Sequence, residues 1–263
     1  MRQALSPVEK TKQGKTDTPT TPAPHFYNHG LANRYLDFLA VCILLVIAGG
    51  AAATSPQPED QAIHEKAGIA LTVLLLGLVR FGWAGWIAIA VAALEFVPAS
   101  PIFHACLAPV LLAIVILIRT EPPPATEPSG GLGWLALLTP PLVLMQIAFG
   151  AAYRHKLWGV MPHLAGAMTV ACLVLVLCLL LLQRRPLLRR PAVIAMSIVL
   201  TQVSLGITAF VLRMLDLDTG LWFRLFSSAH VTLGAATLAA TVSLGRFVIG
   251  DPAPHREDPG PEN

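Results

Sequence analysis

Charged residues are scarce in this sequence. Asp, Glu, Lys and Arg make up 13% of the 263 residues, whereas a soluble domain of this size carries about 25%. Hydrophobic residues make up 55%, and the mean hydropathy is +0.66. This balance excludes a water-soluble globular domain and predicts an integral membrane protein.

Cysteine is also rare, and its four positions exclude two common kinds of site. Cys42, Cys106, Cys172 and Cys178 all lie within apolar runs, and no pair has CxxC spacing. The sequence therefore predicts neither a disulfide nor a zinc site.

The first thirty residues lack the apolar segment of a signal peptide. They are polar and rich in Lys, Thr and Pro, a composition that cannot bury a core. We predict a disordered tail over 1–30 and a second short tail over 250–263.

The rest of the chain is a series of apolar runs, each close to the roughly 20 residues that cross a bilayer as a helix. We predict an all-α integral membrane protein with eight transmembrane helices. The predicted spans are 31–53, 61–80, 82–98, 102–119, 132–153, 160–183, 191–213 and 223–249. The boundary between the second and third spans, at 80–85, is the weakest, because one arginine and two glycines are all that separate them. Merging these two spans gives a seven-helix alternative.

Basic residues are divided unequally between the two sides of these spans. Eight spans place 13 of the 18 Lys and Arg residues on the side that holds both termini. The five on the opposite, outer side are Lys66, Arg154, Lys156, Arg213 and Arg224. The positive-inside rule then puts both termini in the cytoplasm.

The two halves of the chain resemble each other. Gln146-x3-Gly150 in span five recurs as Gln202-x3-Gly206 in span seven, and a Pro/Gly-rich segment separates the halves. We predict two pseudo-symmetric four-helix bundles, at 31–119 and 132–249, joined by a linker over 120–131.

A histidine stands near the start of each even-numbered span. The four are His64, His104, His163 and His230. Within each half the two histidines lie at similar depth on helices that run in the same direction. A matched pair can hold a flat porphyrin between two axial ligands, and polar rings in lipid usually face a partner or a metal. A single histidine here is better explained as an interfacial residue bonded to water or a carbonyl group; the matched pairs favour ligands.

Small residues follow each of these histidines by three or four positions, at Gly68, Ala108, Gly166 and Gly234. They lie on the histidine's own helix face and leave a gap in which a haem plane could lie. The outer bases, Arg154 and Lys156 among them, would pair with its propionates. Ordinary helix packing also uses small residues at this spacing.

Several other polar residues are ambiguous. His25, His29 and His255 are predicted to be solvated in the tails. His155 either lines a site or lies at the interface, and Glu95 in span three either faces the bundle interior or reaches to the surface.

Six segments together resemble the haem A synthase family of cytochrome oxidase assembly proteins. They follow the family's chain order across nearly every span. The segments are LVIAGGAAATS at 45–55, FHACLAPVLLAIVI at 103–116, LMQIAFGAAYRH at 144–155, MPHLAGA at 161–167, TQVSLGI at 201–207 and AHVTLGAATLAAT at 229–241.

The resemblance implies a membrane oxidoreductase that oxidises a methyl group of haem O towards haem A. His64 and His104 match the ligands of the half that takes the substrate haem. His163 and His230 match the ligands of the half that holds haem b as cofactor. It also implies the bacterial cytoplasmic membrane, surrounding lipids, an electron donor, and contact with haem O synthase or terminal oxidase subunits. No nucleic-acid partner is expected.

The sequence departs from the family at the position of its catalytic glutamate, three residues before the first histidine. Gln61 stands there, and Glu59 and Glu65 are weak substitutes, so the catalytic residue is left open. The outer loops lack the cysteine pair of many members, and span three reads AALEFVP without Gln-x3-Gly. A glutamine cannot exchange protons as a carboxylate does.

Two other functions therefore stay open. A non-catalytic di-haem protein could carry electrons or deliver haem, which the glutamine and the short loops favour. A haem-free transporter is disfavoured, because it leaves the four histidines unexplained and no pair of broken helices marks a substrate path.

Overall fold

The fold is all-helical in the residues that the computed structural model describes, which are 29–52, 58–97, 100–121 and 130–250. The predicted tails and linker lie almost wholly outside these ranges, as do His25, His255 and the side chains of His29 and Glu59. The helices are α1 (His29–Ala52), α2 (Pro58–Leu75), α3 (Trp83–Leu94), α4 (Pro101–Arg119), α5 (Gly130–Arg154), α6 (Val160–Arg184), α7 (Arg189–Met214) and α8 (Leu221–Ile249).

Seven of these helices are long and apolar enough to cross a membrane, which confirms a multi-pass membrane protein. Large apolar side chains such as Leu45, Val73 and Ile194 are exposed. In a bilayer such side chains face lipid at no cost. Pro109 lies within α4, and Pro140 and Pro141 lie within α5, as packed membrane helices tolerate.

The prediction for the third span was wrong in length. α3 has 12 residues, or about 18 Å of helix, against an apolar core of about 30 Å. The seven-helix alternative was right about the number of long apolar spans, which is seven among the described residues. It was wrong about the merger, because the chain breaks after a 3₁₀ segment (Leu76–Phe81) at Gly82, which has a φ of +69°. A side chain at Gly85 would overlap the Leu78 carbonyl group. α3 therefore packs back along the segment that precedes it.

Helix contacts repeat between the two halves. α1 and α3 each pack against both α2 and α4, and α5 and α7 each pack against both α6 and α8. Between the halves, α4 packs on α8, α1 on α8, and α4 on α5. Every contact within the first half has a counterpart four helices later.

α4 and α8 form the seam between the halves. One apolar core cluster joins α1–α4 to Ala235 and Ala239 of α8, and the other joins α5–α8 to Ala113 of α4. Arg246 near the end of α8 donates to the carbonyl oxygen of Leu117 near the end of α4 (3.1 Å). α4 and α8 therefore run in the same direction, and their histidines lie at the same end of the molecule.

Candidate functional site: two histidine pairs

The four helix-start histidines come together as two pairs with the same geometry. The ring centres of His64 (α2) and His104 (α4) are 6.2 Å apart, with the ring planes at 85°. Those of His163 (α6) and His230 (α8) are also 6.2 Å apart, at 88°. We call these the N-terminal pair and the C-terminal pair.

A glycine of the preceding helix makes room for three of the four rings. A Cβ at Gly50 of α1 would lie 2.5 Å from Cε1 of His64, one at Gly150 of α5 3.0 Å from Cε1 of His163, and one at Gly206 of α7 2.7 Å from Cε1 of His230. Real Cβ atoms essentially never come within 3.0 Å of another group. The recurring glycines therefore fix where the rings lie.

Replacing Gly50 with alanine is expected to displace His64 and destabilise the protein by about 1–3 kcal/mol, the usual cost of overpacking. The measurement is the thermal unfolding midpoint in detergent. Gly49→Ala is the matched control, because no atom lies within 4 Å of a Cβ at that neighbouring position. Equal midpoints for the two variants would show that the ring has room to move.

Amide and carbonyl groups from α5 and α7 contact the C-terminal pair. Nε2 of Gln146 lies 2.8 Å from Nδ1 of His163 and donates to the backbone carbonyl oxygen of His163 (2.8 Å). Nδ1 of His230 donates to the backbone carbonyl oxygen of Gln202 (2.8 Å). Both rings of this pair are therefore contacted at Nδ1, and Nε2 is the nitrogen that a metal ion would have to use.

The predicted role of two small residues was wrong. A Cβ at Gly166 would overlap the amide oxygen of Gln146, and one at Gly234 would lie 3.2 Å from Nε2 of Gln202. These glycines therefore accommodate glutamine side chains rather than the gap for a haem plane. Gly68 faces open space, and Ala108 is half-buried.

A carboxylate holds one ring of the N-terminal pair. Oε2 of Glu95, just beyond the end of α3, lies 2.7 Å from Nδ1 of His104. The other oxygen, Oε1, is buried without a hydrogen-bond partner among the described residues, and so is Nδ1 of His64. Glu95 thus faces the pair, which decides between the two alternatives left open by its sequence.

Two arginines of the second half lie close to the helices that carry the N-terminal pair. Arg224 of α8 borders a cavity of about 310 Å³ that also contains His64, Gly49 and Ile63. Arg154 at the end of α5 donates to the backbone carbonyl oxygen of Ala51 at the end of α1. The two halves therefore share the histidine end of the molecule.

Aromatic and cationic groups surround the C-terminal pair. The Tyr153 ring stacks on His163, with ring centres 6.4 Å apart and planes at 9°. The Arg213 guanidinium lies 5.1 Å from the Tyr153 ring centre. This arrangement places a predicted outer base beside the site.

His155 and Lys156 lie in the exposed turn after α5. Partial burial, followed by the charge of Arg154, lowers the pKa of His155. Lys156 is exposed, with a φ of +57°.

Gln61 and Glu65 on α2 are exposed. Among the described residues, neither makes a hydrogen bond to one of the four histidines. Neither Glu95 as the partner of His104 nor the glutamines as partners of the C-terminal pair were expected from the sequence. The repeated Gln-x3-Gly, with its glycine one turn after the glutamine, was the signal for the latter.

Two histidines suit a metal whose remaining ligands come from a planar macrocycle. No group of three or more His, Cys, Asp or Glu side chains in the described ranges could hold a bare metal ion. With ring centres 6.2 Å apart, each pair would have room for one metal ion bound by both imidazoles, since metal–nitrogen bonds are about 2 Å long.

The hydrogen bonds of His104 and His230 agree with such a role. Each has an oxygen acceptor at Nδ1, so the neutral form of either ring has its proton on Nδ1 and its lone pair on Nε2. His163 differs, because the Gln146 NH2 group that donates to its backbone carbonyl oxygen also meets its Nδ1 as a donor.

Comparisons of the chain with protein-family models, curated proteins and solved structures return no match. The site is therefore interpreted from its own geometry.

Proposed function

We propose that this protein is a haem A synthase-like membrane oxidoreductase that oxidises a methyl group of haem O towards haem A for cytochrome oxidase assembly. The observation that carries the proposal is the pair of matched histidine sites, each with ring centres 6.2 Å apart. The repeated helix contacts support two pseudo-symmetric four-helix bundles, each with one site.

In this proposal His163 and His230 hold haem b, and His64 and His104 hold the substrate haem. When bound, haem supplies the redox-active iron at which dioxygen chemistry takes place. The protein orients the rings through Glu95, Gln146 and the Gln202 carbonyl group.

The basic residues at the histidine end are the proposed partners of propionate groups. Arg224 borders the cavity next to His64, and Arg154 and Lys156 follow at the end of α5. Guanidinium and carboxylate groups form strong charge-assisted hydrogen bonds. An arginine from the second half would thus secure a haem held by the first.

Charge distribution supports the proposed placement in a bacterial cytoplasmic membrane with both termini in the cytoplasm. The histidine end then faces outwards. An electron donor, haem O synthase and terminal oxidase subunits are the proposed partners.

A second candidate is a non-catalytic di-haem protein for electron transfer or haem delivery. It is favoured by Gln61, which stands at the family's glutamate position and is exposed. Both candidates require the two histidine pairs, so they differ in product rather than in cofactor binding.

The deciding experiment is an optical spectrum with extracted-haem analysis of the protein purified from cells that make haem O. Haem A in the extract is the result expected for the enzyme, and haem b alone would favour the electron carrier. The control is the double variant His104→Ala/His230→Ala, which lacks one ligand of each pair. A colourless wild-type protein would contradict both functions.

A further inference from the structure

The two histidine pairs differ in the charge next to their rings. Nδ1 of His230 faces a neutral backbone carbonyl group and Nδ1 of His163 faces a neutral amide. Nδ1 of His104 faces the carboxyl group of Glu95 at 2.7 Å. Among the described residues, this is the only acidic side chain in contact with any of the four rings.

We infer that Glu95 makes the two sites electronically unequal: through His104, it lowers the reduction potential of a haem in the N-terminal pair below that of a haem in the C-terminal pair. The inference rests on the proposed binding of two haems. It assigns Glu95 the role of a positioning residue that acts through an axial ligand.

The physical reason is the strength of the hydrogen-bond acceptor. A carboxylate draws the Nδ1 proton more strongly than the carbonyl oxygen at His230 does, and the Gln146 group at Nδ1 of His163 is an amide NH2 rather than an acceptor. The imidazole then donates more electron density through Nε2 and stabilises ferric over ferrous iron. Burial increases the effect, because charges interact more strongly away from water; the Glu95 side chain is only 19% exposed.

The Glu95 carboxyl group has no direct cationic partner in the described ranges. Oε1 has no hydrogen-bond partner there, and no salt bridge among those residues joins Glu95 to Lys or Arg. Nδ1 of His64, the facing ring, also has no partner among them. The carboxylate therefore acts mainly on His104.

The consequence is an order of reduction. The first electron that a reductant such as dithionite supplies should reside on the haem of the C-terminal pair, and the haem of the N-terminal pair should be reduced second. A haem in the N-terminal pair would then stay ferric until the haem in the C-terminal pair has been reduced.

The test is a spectroelectrochemical titration of the full chain, purified from cells that make only haem b so that both sites hold the same group. Glu95→Gln should raise the reduction potential of the haem in the N-terminal pair by at least about 59 mV, which corresponds to a tenfold change in the ratio of oxidised to reduced haem for one electron. The potential of the other haem should not change. The matched control, Glu65→Gln, removes an exposed carboxylate one residue from His64 and should change neither.

A second measurement tests the inference without the Glu95→Gln variant, in case that variant does not retain its haem. In chains with native Glu95, the haem retained by His230→Ala occupies the N-terminal pair and should have a lower potential than the haem retained by His64→Ala. Equal potentials, the reverse order, or an equal shift of both haems in Glu95→Gln would overturn the inference. A wild-type protein that binds no haem would instead overturn the proposed function.

Discussion

Replacing His230 with alanine is expected to remove about half of the bound haem, because each site depends on two axial rings. His230 belongs to the C-terminal pair alone, with His163 as its ring neighbour. Its Nδ1 contact is to α7, within the same half of the chain. The haem of the N-terminal pair should therefore stay at full occupancy.

The measurement is haem per chain, together with the low-spin optical and electron paramagnetic resonance signals of the purified protein. His155→Ala is the control, since this exposed histidine lies outside both pairs. If His230→Ala kept both low-spin signals, the C-terminal pair could not be a haem site. The loss of both signals would show that the halves do not load independently.

Gln146→Met is expected to weaken haem retention in the C-terminal pair by roughly 10–100-fold, the usual effect of losing the group that orients a ligating histidine. The Gln146 side chain is 8% exposed and contacts both Nδ1 and the carbonyl oxygen of His163. A methionine of similar length leaves both groups unpaired, at a cost of about 1–3 kcal/mol.

Gln202→Met is the matched variant, at the corresponding position of α7. His230 contacts the backbone carbonyl group of Gln202, which the substitution preserves. The lost side-chain bond comes from Thr237 (3.1 Å), which also donates to the carbonyl oxygen of Leu233 (2.8 Å). Haem titration of the apoprotein and thermal unfolding should therefore give near-native values for Gln202→Met. Equal losses in both variants would contradict this assignment of partners.

Much of the helix layout was predictable from sequence, because the transfer of an apolar run into lipid is a local property. The apolar runs predicted the ends of the seven long helices to within about three residues, except that α2 ends at Leu75 rather than near residue 80. The positions of the four histidines near helix starts could also be predicted, because they depend only on where the apolar runs begin. The repeated Gln-x3-Gly pointed to the recurrence of helix contacts.

The length of α3 could not be predicted from its own residues, because it depends on contacts with the segment before it. The residues before it continue α2 as a 3₁₀ segment, and Gly82 and Gly85 let the chain reverse tightly against Leu78. Apolar residues continue on both sides of this reversal, so the apolar pattern alone could not place its end. The packing of one backbone on another decided it.

The chemistry of the pairs was decided by the tertiary structure. Four histidines in a sequence carry no distances, whereas the folded helices bring them to 6.2 Å in two pairs. Glu95 in an apolar helix had two plausible orientations until α3 placed it beside His104. Sequence determined which groups were available; the packing of helices distant in the chain decided which atoms meet, because hydrogen bonds and ring contacts depend on separations of a few ångströms.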